Sequence, residues 1–93
     1  SKEDNYFEQY VYEKPTVFVV QGKEVVVTSK RLADALANLS EQRRTALLMN
    51  FFLGYSERKI GNEYGRSRST VNYWKLAALK QLRKELEETK HEE

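Results

Sequence analysis

The stretch Ser56–Lys80, SERKIGNEYGRSRSTVNYWKLAALK, decides the fold. It reads as two helices joined by a very short turn. Ser56 is suited to cap the first, since its hydroxyl can accept from an unpaired amide of the opening turn. Glu57 then places a negative charge where the helix dipole favours one. Gly65 tolerates positive φ and ends this helix at about Tyr64. Ser67 is placed to cap the second helix, along which Val71, Trp74, Ala78 and Leu82 recur at helical spacing. Gly61 lets the two helices cross closely, and Val71 falls where the second helix faces the first. A small residue, a turn glycine four positions later and a β-branched apolar residue six beyond that predict a helix-turn-helix over 56–80.

The outward side of the second helix carries Arg68, Ser69, Asn72, Tyr73 and Lys75. Guanidinium and amide forks match base edges, while hydroxyls and ammonium groups match phosphates. The same spacing also fits an ordinary helical hairpin with a solvated polar face. The distribution of charge separates the two readings. The whole chain of 93 residues is only +2, yet residues 41–84 hold ten basic and three acidic groups. Residues 1–40 are net −1 and residues 85–93 net −4, so the positive field lies on the helix-turn-helix.

Ninety-three residues allow one domain with a modest core. There is no cysteine, which excludes a disulfide framework or thiolate metal site and fits a reducing cytoplasm. No apolar run approaches the roughly 20 residues of a membrane span, and no signal peptide is visible. The first residue is a serine, which fits either a processed terminus or the cut edge of a longer protein.

Upstream, TVFVV (16–20) and EVVVT (24–28) flank Gln21-Gly22-Lys23 and predict a β-hairpin. Two strands alone are marginal, so the hairpin must pack on the helices or pair elsewhere. Before it, SKEDNYFEQYVYEK reads as an arm whose Tyr6, Phe7, Tyr10 and Tyr12 lie on the domain, or else as a partner-docking segment or the tail end of a missing upstream region. Pro15 closes that arm. Ser29 is suited to cap a short helix, KRLADALANL, offering Leu32, Leu36 and Leu39 for burial. Ser40 is suited to cap the next, EQRRTALLMNFFLG, where Leu47, Leu48, Phe51 and Phe52 form a wide apolar surface ended by Gly54. These residues read mainly as core, but the surface exceeds what one helix-turn-helix needs, so part of it is available to a protein partner.

Downstream of Lys75 the second helix of the motif continues without a breaker, with Leu76, Leu79, Leu82 and Leu86 along it. A helix from 68 to about 88 is roughly 30 Å long at 1.5 Å per residue. Its first half must pack on the domain; its second half is expected to pack on the hairpin or to pair with a copy of itself. That long helix and a free strand edge leave a homodimer open. The end, EETKHEE, reads as frayed, with His91 on the surface. The expected architecture is therefore mainly α: a bundle of three to four helices with a long C-terminal helix and an N-terminal β-hairpin. Residues 1–28 form the arm and hairpin, and 29–93 the helical domain.

The stretch from Leu36 to Leu86 resembles region 4 of the sigma-70 family of RNA polymerase specificity factors. The resemblance rests on Leu39-Ser40, the apolar helix 46–53, Gly54-Tyr55-Ser56, Ile60, Gly65, Ser67, Thr70-Val71 and the Leu79/Leu82 pair. With the hairpin and short leucine-rich helix in front, residues 5–88 look like the small sigma-like regulators of Gram-positive conjugative transposons. The resemblance implies a role in transcription initiation, with double-stranded promoter DNA and RNA polymerase as partners and no cofactor. By its terms Arg68, Ser69, Asn72 and Tyr73 face bases, and Arg58, Lys59, Arg66, Ser67 and Lys75 hold the DNA backbone. Leu47, Leu48, Phe51 and Phe52 then mix core with polymerase contact.

Three departures qualify the resemblance. Position 61, usually alanine, is glycine, at about 1 kcal/mol of helix propensity. The residue after the turn glycine, usually apolar, is Arg66. The sigma region that melts the −10 element is absent from these residues, which implies a fragment, half of a split pair, or a regulator built on the borrowed domain. The alternative function is a protein-interaction module that binds polymerase or another regulator with little DNA contact; Arg66 and the acidic tail favour it. An enzyme is the poorest fit: no paired carboxylates, phosphate-cradling glycine loop, nucleophile–histidine pair or metal cluster is visible.

Overall fold

The structure, a computed structural model, describes residues 14–92, and over 89–92 only the course of the helix. The expectations for the aromatic arm and for the His91 side chain lie outside the described residues.

Two strands, β1 (Thr16–Val20) and β2 (Lys23–Val27), pair antiparallel, with Phe18 opposite Val25 and Val20 opposite Lys23. The turn is tighter than the sequence suggested. Gln21 (φ 53°) and Gly22 (φ 73°) both take the left-handed region and close the hairpin in two residues. That geometry matches the strand twist, so Lys23 belongs to β2, and Thr28 lies beyond it. Alternation buries Val20, Val25 and Val27, while Val17, Val19 and Val26 face outward.

Four helical segments follow: α1 (Lys30–Ala37), α2 (Glu41–Leu47), α3 (Glu57–Tyr64) and α4 (Arg68–Glu92). Serine hydroxyls cap all four. Ser29 accepts from the amide of Leu32 at 3.2 Å, Ser40 from Arg43 at 3.3 Å, Ser56 from Lys59 at 3.1 Å and Ser67 from Thr70 at 3.1 Å. Each satisfies an amide that the first turn leaves unpaired. The far end of α1 is closed from outside, where the Arg44 guanidinium donates to the carbonyls of Leu39 (3.0 Å) and Ala37 (3.4 Å).

α2 does not run on as an α-helix to Leu53. It widens into a π turn over Leu48–Phe52, and the amide of Leu53 bonds back to the carbonyl of Leu48 at 3.1 Å. The extra residue in this turn changes which side chains share a face. Leu47, Leu48 and Met49 are buried and Leu53 is half-buried, whereas Phe51 and Phe52 are turned to solvent at 57% and 47% exposure. The side-chain amide of Asn50 donates to the Tyr55 carbonyl at 2.8 Å and secures the segment leading into α3.

α4 is the spine, packing on α1, α2 and α3. Its second half lies against α1. Arg31 donates to the Leu86 carbonyl at 3.0 Å, Gln81 to the Asn38 carbonyl at 3.3 Å, and Asn38 to Glu85. Leu82 is buried there, with Leu79 and Leu86 packed around it, while Leu76 stays exposed. The leucine row is thus used mostly within the chain. The hairpin instead rests on α1 and reaches the helix-turn-helix through its turn: Gln21 donates to the Tyr64 hydroxyl at 2.8 Å, and Lys23 to that of Tyr55.

Candidate nucleic-acid interface

α3 and α4 meet across the turn Gly65–Ser67. Gly65 adopts φ 63°, and the amide of Arg66 donates to the Gly61 carbonyl at 2.8 Å, so the chain leaves α3 and reverses at once. Ile60 and Val71 have no exposed surface and lie in the same core cluster. Full burial of each contributes roughly 1.5–3 kcal/mol, which fixes the two helices as a rigid pair. The first turn of α4 leaves Arg68 and Ser69 exposed beyond this junction.

On the outer face of α4 Arg68, Ser69 and Tyr73 are exposed and Asn72 is half-buried. Arg68, Ser69 and Asn72 line one concavity together with Glu57. Ser69, Asn72 and Tyr73 also line a longer shallow trough, about 630 Å³, that runs along α4 past Leu76 to Lys80 and Lys84, with Arg43 of α2 on its flank. The four residues expected to read bases therefore form one continuous surface. Its extension by Leu76, Lys80, Lys84 and Arg43 was not read from the sequence. The four-residue spacing of 76, 80 and 84 was the available signal for α4, but nothing pointed to Arg43.

The residues expected at the DNA backbone divide. Arg58 and Lys59 are exposed on α3, the Lys59 ammonium lying 4.4 Å from the centre of the Tyr55 ring. Arg66 is exposed and borders a separate cleft of about 270 Å³ whose walls include Ile60, Tyr64 and Trp74. Ser67 spends its hydroxyl on the cap and on Thr70 Oγ1 at 3.0 Å. Lys75 is not a free cation. Its Nζ donates to Glu57 Oε1 at 2.6 Å, and the two side chains are only 15% and 18% exposed. The hydrogen bond from Lys75 holds the Glu57 carboxyl below its ordinary 4.5, against the effect of burial, and the nearby Asn72 side chain and the charge of Arg68 act in the same sense.

Of the expected partner surface, Leu47 and Leu48 are core residues, and Phe51 and Phe52 are the outward pair. The π turn is the reason, since it moves Leu53 into the place an α-helix would give Phe52. Among the described residues no group of three or more acidic or histidine side chains is placed to hold a metal ion, and no helix is long and apolar enough to cross a membrane.

Comparison with known proteins agrees with this geometry. The family described as sigma-70, region 4, matches residues 29–82, more than half of the chain. The chain belongs to the sigma-70 region 4 family, whose members are helix-turn-helix DNA-binding domains. The match begins at Ser29, so the hairpin lies outside it. No curated protein and no solved structure matches the chain.

Proposed function

We propose that this protein is a sequence-specific transcription regulator that lays the start of α4 in the major groove of a promoter element, in company with RNA polymerase. The observation that carries the reading is the exposed face of Arg68, Ser69 and Tyr73, with Asn72 beside it, at the start of the second helix of a family helix-turn-helix. Phosphate neutralisation by Arg58, Lys59 and the basic flank of α4 supplies affinity that falls steeply with salt. Bidentate contacts from Arg68 and Asn72 supply discrimination, about 1–3 kcal/mol for each good pair. The role is binding, with no reaction of its own, and its place is the cytoplasm. The likeness to regulators of conjugative transposons rests on the hairpin ahead of the shared domain and on the short leucine-rich helix that opens it.

A second reading, a module that binds polymerase or another regulator, is favoured by the outward Phe51 and Phe52. Joint replacement of Arg68 and Asn72 by alanine separates the two. The DNA reading expects an unchanged thermal melt and about a tenfold or greater loss of duplex affinity; retained affinity leaves only the interaction module.

A further inference from the structure

A carboxylate at a surface meant for DNA is repelled by every phosphate near it, so Glu57 needs a reason to be there. It opens α3 yet lines the same concavity as Arg68, Ser69 and Asn72 of α4. Its carboxylate binds the Lys75 ammonium at 2.6 Å across the two helices, and the ammonium also lies 5.8 Å from the centre of the Phe51 ring. Asn72 and Arg68 line the concavity beside this carboxylate, and both favour its ionised form. An asparagine amide has two N–H donors and an acceptor oxygen. Beside the Glu57 carboxylate in that concavity, the amide has an N–H to spare for the acid while its other N–H and its oxygen suit the edge of adenine.

We infer that Glu57 is a positioning residue for base recognition: it ties Lys75 away from phosphates and orients Asn72 and Arg68, raising discrimination while lowering non-specific affinity. The inference rests on the DNA-reading function proposed above and assigns that site its internal acid. A lysine at this place is then a strut between α3 and α4, and the salt dependence of binding excludes it.

The test is Glu57→Gln, with the same variant carrying Lys75→Met, measured for thermal melt, for binding to a random duplex against salt, and for site selection from a randomised pool. Glu57→Gln should keep a cooperative melt, bind random duplex several-fold tighter with a log–log salt slope steeper by about 0.9, and discriminate about five- to tenfold less at one base pair. Adding Lys75→Met should return the slope to the original value without returning the discrimination. Equal changes on random and selected duplex with an unchanged slope would overturn the inference. Should Glu57→Gln unfold, Glu57→Asp keeps the charge with a shorter reach and must lose part of the discrimination; full retention also overturns it. Failure of the DNA reading looks different, because the unaltered protein then selects no site, and the inference goes with it.

Discussion

The backbone carbonyl of Arg66 stands where a side chain at residue 61 would begin: a Cβ built on Gly61 lies 2.5 Å from that oxygen. Gly61 is therefore required by the closeness of the turn, since its own backbone is ordinary helix. Alanine at this position gains about 1 kcal/mol of helix propensity but must displace main chain rather than a flexible side chain. Gly61→Ala should lower the melting temperature, by about 4–8 °C for each kcal/mol of net loss in a domain this size. A raised melting temperature contradicts the tight turn.

Val71 is buried in the same junction with no exposed surface. Val71→Asp places a carboxylate among buried residues that are all hydrophobic among those described, and burial of an unpaired charge exceeds the stability of a small domain. The variant should lack a cooperative melt by circular dichroism at 25 °C. Val71→Ala should remain folded and lose roughly 1–3 kcal/mol. A native-like melt for the aspartate variant would show that α3 and α4 do not close over this residue.

The Glu57–Lys75 pair predicts a pH dependence. The Glu57 carboxyl is held below its ordinary 4.5, first by the hydrogen bond from Lys75. The folded state then binds a proton less readily than the unfolded chain, so this stabilisation is complete above about pH 4.5 and is lost as pH falls through the lowered value. Melting temperatures of the protein and of Glu57→Gln should converge between pH 6 and pH 3. Parallel curves would mean that the ion pair adds nothing to stability.

The outward pair Phe51 and Phe52 should be separable from the core beside it. Changing both to serine should leave the melt within about 3 °C and duplex affinity intact, while binding to core RNA polymerase is lost in a pull-down. Changing Leu47 or Leu48 to serine should cost about 2–5 kcal/mol, since each is buried. Undiminished polymerase binding by the double-serine variant would remove these rings from the partner surface.

Much of this fold was legible because its signals are local. Ser29, Ser40, Ser56 and Ser67 each cap the helix that follows, and Gly65 closes α3 in the left-handed region. The spacing of Gly61, Gly65 and Val71 placed the helix-turn-helix, because each position has its own steric reason. What stayed hidden depends on distance or on register. Leu47, Leu48, Phe51 and Phe52 fit an α-helical stripe, so nothing in their order announced the π turn that exposes the last two. Glu57 and Lys75 lie 18 positions apart on different helices, and only the crossing brings them together. The burial of Leu82 against α1 likewise follows from the path of α4 and not from its leucine pattern.

The most direct test is selection from a randomised duplex pool by the unaltered protein, followed by fluorescence anisotropy of the recovered duplex at two salt concentrations. One motif should be enriched, bound more tightly than random duplex, with affinity that falls steeply as salt rises. Uniform recovery of the pool, or equal affinity for recovered and random duplex, would contradict it.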